Sequence, residues 1–412
     1  MSASSVADRL GRLDVLVLTA LVWFLAKFLR YAFPPLFGVL SGTYGVSTTA
    51  LGFAFSGLMV VYASLQFPSG LLADRLGSVR VVVGGALVAA AASLALSVDA
   101  PVAVLAVSML GVGAGTGAHK TVAVRLLART YPAQTGRALG VLDTVGTAGG
   151  VAAPAAVVFV TDGVSGLSWR SLFLAAGVAG VGLAAAVAAR APADPSAGDA
   201  PADAGALADD LDLRRYAALF GDRRVDAFVA VTLLFSFAYY GTVAFLPLYL
   251  TRAAGLTAAS AGLAYSALFA VSVVQLATGE AGDRVGPIPV VAAALALATA
   301  ALVALLLLAG TAGPLALGGA VVCLGLGAHG YRPVRSAYLL SILPESLAGG
   351  GLGVVRTLLM GAGAVAPALV GVLSDRAGFR AAFWLLAAAM GAAAALAALL
   401  WLDERRAASD GR

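Results

Sequence analysis

Two cations interrupt an apolar run near the start of the chain: Lys27 and Arg30, within ALVWFLAKFLRYAFPPL at residues 20–36. A guanidinium offers a planar fork of donors that matches carboxylate or phosphate oxygens, whereas an ammonium is a compact point charge. On a helix, which advances about 100° per residue, Trp23, Lys27, Arg30, Tyr31 and Pro34 share one face, with Leu21, Leu25 and Phe28 turned away. The only other lysine, Lys120, stands in a second apolar run, GVGAGTGAHKTVAVR at 111–125. Together these groups suit the binding of an anion. The competing reading is that Lys27 and Arg30 snorkel to lipid headgroups; an ionisable group inside a span otherwise faces a cavity or a partner.

The remaining chemistry-bearing residues exclude more than they offer. His119 and His329 are the only histidines; proton transfer, donation to a solute and plain packing all suit them. Cys323 falls on a different face from His329 with no acidic residue nearby, so no metal site is expected. The same lone cysteine excludes an intrachain disulfide framework. Glycines 111, 113, 115 and 117 follow no strand, which excludes a phosphate loop; in a membrane they let helices approach closely. Neither paired carboxylates nor a nucleophile–base set is present, so the chain reads as a non-enzyme with no cofactor.

Composition supplies the solvent. Of 412 residues 61% are hydrophobic and 11% charged, and the mean hydropathy is +0.96. A soluble domain carries about 25% charged residues, so this chain cannot cover a water-facing surface. The net charge of +5 therefore implies no nucleic acid; its cations are to be sorted by membrane side. About 20 apolar residues cross a bilayer, and that ruler gives twelve spans. They lie near 13–38, 48–72, 79–98, 102–126, 138–160 and 169–189, then 226–250, 258–279, 287–309, 313–335, 351–373 and 380–402. The first follows a short start with Arg9 and Arg12 and no small-residue cleavage site, so it reads as an uncleaved span. The expected fold class is an all-α polytopic membrane protein.

Residues 189–212, rich in Pro, Ala, Gly and Asp, read as a solvated linker rather than an acidic regulatory tail. The expected organisation is a six-helix bundle at 1–190, a cytoplasmic linker at 191–222 and a second six-helix bundle at 223–412. With both termini in the cytoplasm, that side collects most arginines, Arg75, Arg80, Arg129, Arg137, Arg190, Arg284, Arg405 and Arg406 among them. The outer side keeps little beyond Arg252, Arg376 and Arg380, a positive-inside bias.

The halves repeat. At an offset of 212, residues 14–36 lie over 226–248, with Asp14, Ala26, Ala32, Phe33, Pro35 and Leu36 on identical residues. That register sets Lys27 over Tyr239 and Arg30 over Thr242, so the charge exists in the first half alone. At 209, GLLADRLG (70–77) lies over GEAGDRVG (279–286); at 210, His119 and Arg125 lie over His329 and Arg335; at 213, Thr144 lies over Thr357. Two parallel six-span repeats are a transporter architecture.

On these residues the chain resembles the major facilitator superfamily over essentially its whole length. Gly70, Leu72, Asp74, Arg75, Gly77 and Arg80 match the family's loop signature between spans 2 and 3; Gly279, Asp283, Arg284 and Gly286 match its second copy. A third stretch, GVLSDRAG (371–378), falls on the opposite side in this topology and reads as a chance echo. The antiporter signature of span 5 is only partly present, in Gly140, Gly149 and Pro154, which leaves direction, symport or antiport, open.

The resemblance implies a multi-pass secondary transporter of the cytoplasmic membrane working by alternating access. Expected partners are a small-molecule substrate, a coupling proton or ion and the lipid bilayer, with the protein a monomer. Lys27, Arg30, Tyr31, His119, Lys120, Tyr239, His329 and Arg332 are the expected substrate residues, and the cations point to an anionic solute. The signature residues form the gate with Asp143 and Arg356, through the pairs Asp74–Arg356 and Asp143–Arg284. The alternative is a proton-coupled exporter of drug-like or cationic compounds, which wants a carboxylate in the cavity; Asp143 is the intramembrane candidate, one to two turns from a helix end.

Overall fold

The computed structural model describes residues 3–162, 166–191, 221–342 and 348–410. The linker expected at 191–222 lies outside the described residues apart from its two ends. In chain order the helices are α1 (Ala3–Tyr44), α2 (Thr48–Ser64), α3 (Gln66–Leu76), α4 (Ser78–Ala95), α5 (Val102–Thr130), α6 (Thr135–Thr161) and α7 (Trp169–Arg190). Then follow α8 (Arg223–Arg252), α9 (Ala258–Ala270), α10 (Val274–Val285), α11 (Pro287–Leu308), α12 (Pro314–Ile342) and α13 (Ala348–Asp410). There is no strand among the described residues.

Local chemistry sets the ends. Asp222 caps α8 by accepting the Arg224 amide at 2.7 Å, and Thr257 caps α9 by accepting that of Ser260 at 3.2 Å. Pro287 opens α11, where its missing N–H costs nothing. Two spans outrun their expected ends: α1 passes Pro34 and Pro35 to reach Tyr44, and α12 passes Pro333 to reach Ile342. Proline stops a soluble helix more readily than a membrane one, where neighbours satisfy the freed carbonyls.

Ten helical segments are long and apolar enough to cross a bilayer, and α2 with α3, bent by 42°, makes an eleventh. The tenth of these, Val355–Ala407, has 53 residues, or about 80 Å at 1.5 Å per residue, against a hydrocarbon core of about 30 Å. Gly378, at φ 85° and ψ 159°, breaks it into two spans. The described residues therefore hold twelve.

That break corrects one reading. Gly77 (φ 87°, ψ 147°) and Gly286 (φ 88°, ψ 150°) turn the chain in the two signature loops, and Gly378 has the same conformation. Positive φ of this kind is open to glycine at little cost. The stretch 371–378 is thus a third copy of the turn, not a chance echo.

The chain divides into two compact units, Met1–Val46 with Ala54–Ala202, and Ser47–Phe53 with Asp203–Arg412. In the first unit the glycines of α5 serve two neighbours. A Cβ on Gly113 or Gly117 would stand 2.4 or 2.5 Å from the carbonyl oxygens of Leu58 and Tyr62 on α2. One on Gly115 would stand 2.4 Å from the Gly85 oxygen and 2.6 Å from the Ala89 nitrogen on α4. Only glycine permits such approach.

The second unit repeats the pattern. A Cβ on Gly325 would meet the Leu268 oxygen of α9 at 2.8 Å; one on Gly327 would meet the Ala294 oxygen and Ala298 nitrogen of α11 at 2.5 and 2.6 Å. Gly113 with Gly325, and Gly115 with Gly327, are each 212 residues apart. Ser47–Phe53 belongs to this unit because the Thr49 amide donates to Asp375 at 2.7 Å. Gly52 comes so near Pro367 that a Cβ would lie 2.5 Å from its carbonyl oxygen.

Candidate functional site

In the first unit the two cations of α1 meet the lysine of α5 around one aromatic ring. From the centroid of the Trp23 indole, Lys120 Nζ lies 5.2 Å away, Lys27 Nζ 5.5 Å and the Arg30 guanidinium carbon 5.8 Å. Arg30 is 5% exposed, and its guanidinium stands 3.9 Å over the Tyr62 ring and 5.8 Å from that of Tyr31. Lys27 donates to the Thr147 hydroxyl of α6 at 3.3 Å. Lys120 donates to Asp143 of α6, forming an ion pair in which the lysine is 17% and the aspartate 59% exposed. Cation–π contact of this kind contributes about 0.5–2 kcal/mol, more as the site dries.

Each partner is placed by helix geometry. Asp143 and Thr147 are one turn apart and share a face of α6. Gly146 between them lets the indole edge of Trp23 lie flat: an added Cβ would sit 2.1 Å from Cδ1 and 2.4 Å from Nε1. Gly149 brings α6 equally close to the Phe24 carbonyl of α1, at 2.2 Å from a notional Cβ. Tyr62 reaches Arg30 because Gly117 lets α2 close on α5. His119 stacks on Trp23, centroids 5.9 Å apart and planes 22° apart, and its Nε2 donates to the Thr19 carbonyl at 3.1 Å. A carbonyl only accepts, so Nε2 carries the proton and Nδ1 the lone pair.

The second unit has its own aromatic group. The Tyr239 ring is stacked on Phe235 at 5.6 Å, meets His329 edge-on at 6.1 Å, and carries the Arg332 guanidinium 4.7 Å above it. His329 is 2% exposed and lies 6.2 Å from Phe269. Here the repeat register needs correcting. The glycine contacts fix the offset in this region at 212, so His119 corresponds to Tyr331 and Lys120 to Arg332, not His119 to His329. The contacts agree: Tyr331 lies 4.3 Å from Phe235 as His119 lies against Trp23, and Tyr331 meets the Thr232 hydroxyl at 3.1 Å.

The gate residues keep partners closer to home than expected. Asp74 accepts from Arg125 of α5, and Asp143 from Lys120, both inside the first unit. Arg284 donates to Glu280 one turn back on α10, at 2.5 Å. Each of these contacts lies within one unit. A charge in or near a membrane takes the nearest opposite charge, since desolvation makes waiting for a distant one costly. Asp143 also proves to stand beside the cations despite its nearness to a helix end. Arg75, Arg80, Asp283 and Arg356 are exposed, with Arg80 donating to the Leu76 carbonyl at 3.4 Å; a Cβ added at Gly70 would meet Thr121 at 4.0 Å, and one at Gly279 would meet nothing within 4 Å.

The Major Facilitator Superfamily model matches residues 19–331 and 273–412. The chain belongs to this superfamily. Among curated relatives, the probable sulfoacetate transporter SauU of Cupriavidus necator is 28% identical over 139 residues, 34% of this chain and 32% of that protein. The match thus spans about a third of that relative's length. Among solved structures, a bacterial homolog of the human lysosomal transporter Spinster, inward-facing and unoccupied, aligns with a TM-score of 0.77 at 16% identity, over 95% of this chain and 97% of that one. A D-xylose-proton symporter aligns at 0.75 and 14% identity, over 94% and 97%. At such identities the likeness is one of fold.

Four residues that contact this cationic group were not among the expected site residues: Trp23, Tyr62, Gly146 and Thr147. Trp23 was visible on the cationic face. Tyr62 and Thr147 gave no signal of their own, because their roles depend on which helices the glycines bring together.

Proposed function

We propose that this protein is a secondary transporter that moves a small anion across the cytoplasmic membrane by alternating access. The convergence of Lys27, Arg30 and Lys120 on one indole inside a membrane-spanning bundle carries this reading. Three cations against the single carboxylate of Asp143 leave these four groups with a formal charge of +2. Like charges held close in a poorly solvated place repel, and an arriving anion relieves that repulsion. Arg30 is the fork that orients carboxylate, sulfonate or phosphate oxygens, and Lys27 and Lys120 supply point charges. His119 acts by packing against Trp23 rather than by touching solute. Tyr31 lines the same face, and Tyr239, His329 and Arg332 are the second unit's candidates.

The partial similarity to a probable sulfoacetate transporter supports this class, since sulfoacetate carries a sulfonate and a carboxylate. The exporter of cationic compounds is less well supported: the one carboxylate at the site is already held by Lys120. The signature turns at Gly77 and Gly286, with Asp74 and Arg125, are assigned to the conformational change, and both termini to the cytoplasm. A test is thermal melting of the purified protein with sulfoacetate, inorganic sulfate and inorganic phosphate. A ligand that binds only the folded state raises the melting temperature by mass action. A rise with at least one of these anions is expected; a rise with organic cations alone would reverse the assignment.

A further inference from the structure

Trp23 is 3% exposed, and its indole Nε1–H is buried with no acceptor among the described residues. A buried donor without a partner is costly, about 1–3 kcal/mol, and uncommon enough to require a reason. Its position supplies one. The pyrrole edge that carries Nε1 rests on Gly146, where a Cβ would be 2.4 Å from the nitrogen. On the same face of α6, Asp143 holds Lys120 and Thr147 holds Lys27. The N–H is therefore set in the strip between two lysine contacts, and the ring it belongs to has three cations within 6 Å of its centroid.

We infer that Trp23 is itself a binding residue: its indole N–H donates to an oxyanion of the transported solute, and its ring holds the three cations in place while the site is empty. This rests on the anion reading above and adds a neutral, directional donor to it. A cation attracts an anion from any side, but an N–H fixed by Gly146 donates only to an oxygen placed in line with it. The solute is thus a small oxyanion, a carboxylate, sulfonate or phosphate, and not a halide-like point charge. Stacking on His119, whose Nε2 is tied to Thr19, fixes the plane of the indole and so the direction of the donor.

The experiment measures binding of sulfoacetate, inorganic sulfate and inorganic phosphate to the full-length protein in detergent, for the wild type, Trp23→Phe and Arg30→Ala. Trp23→Phe keeps an aromatic ring and removes the donor, so affinity is expected to fall by at least about tenfold, the lower end of what one hydrogen bond to a charged group contributes. A second readout is independent of how the variant folds. The chain has four tryptophans; with Trp169, Trp384 and Trp401 replaced by Phe, one ¹⁵N-indole signal remains. It should move downfield as the bound anion saturates. An unmoved signal, or a Trp23→Phe protein that binds as the wild type does while Arg30→Ala binds weakly, would overturn the role of Trp23 and leave the anion reading standing. No binding of any of the three anions to the wild type, or equal binding to Arg30→Ala, would overturn that reading and this inference with it.

Discussion

Lys120 and Asp143 form an ion pair across α5 and α6 while the same ammonium stands 5.2 Å from the Trp23 ring. On the anion reading proposed above, the lysine has two calls on its charge, a fixed carboxylate and an incoming solute. On that reading the fixed partner keeps the cation in place between cycles and competes with the solute for it.

Competition has a sign that can be measured. Asp143→Asn removes a negative charge from the neighbourhood of the anion and frees Lys120. Anion affinity should rise by about five- to tenfold, on the order of 1 kcal/mol for a unit charge at several ångströms in an intermediate dielectric. Lys120→Met should lower it by a similar factor. Titration calorimetry with sulfoacetate decides both, and a fall in affinity for Asp143→Asn would show the carboxylate to be a supporting rather than a competing group.

Gly146→Ala should disturb the site through shape alone. The new methyl would sit 2.1 Å from the Trp23 ring, and overpacking of this kind costs about 1–3 kcal/mol. Gly140, with nothing within 4 Å, is the control on the same helix. There alanine should stabilise by about 0.5–1 kcal/mol through helix propensity. The two melting temperatures should move in opposite directions.

Much of the fold could be read from the chain, because a bilayer demands long apolar helices and the demand is written in composition. Span limits at 102, 169 and 287 agree with the helices that begin there. The pairings could not be read in the same way. Asp143 was matched to Arg284 on the family resemblance, whereas its carboxylate pairs with Lys120, 23 residues before it on the adjacent helix. The offset of 210 rested on two residue identities, His119 over His329 and Arg125 over Arg335, and not on contacts. Gly115 and Gly327 give 212 through matched backbone contacts, and a missing Cβ has no identity to align until its neighbour is known. The same limit hid Tyr62, which touches Arg30 only because Gly117 lets α2 approach.

Asp74 and Arg125 tie the first signature loop to α5. Both side chains are about a third exposed, 31% and 33%, so solvent screening holds their coupling to about 1 kcal/mol or less. A double-mutant cycle with Asp74→Asn and Arg125→Gln, read by thermal melting, should find a coupling of that size. No coupling would mean that the loop is held by its turn at Gly77 alone.

Orientation is tested by labelling. With Cys323→Ala as background, Ala200→Cys should react with a membrane-impermeant reagent only from the cytoplasm, and Ala312→Cys only from outside. The arginine asymmetry predicts that pattern, and the reverse would invert the topology.

The affinity of the wild type, Arg30→Ala and Arg30→Lys for sulfoacetate, inorganic sulfate and inorganic phosphate, measured in detergent at matched melting temperatures, decides whether the cations around Trp23 bind a solute. Loss of one partner of a desolvated charge pair costs about 2–5 kcal/mol, so Arg30→Ala should bind at least about 30-fold more weakly. Arg30→Lys should also bind more weakly, since it keeps the charge and loses the fork. Equal affinities for all three proteins would mean that Arg30 serves the fold of the bundle and not its cargo.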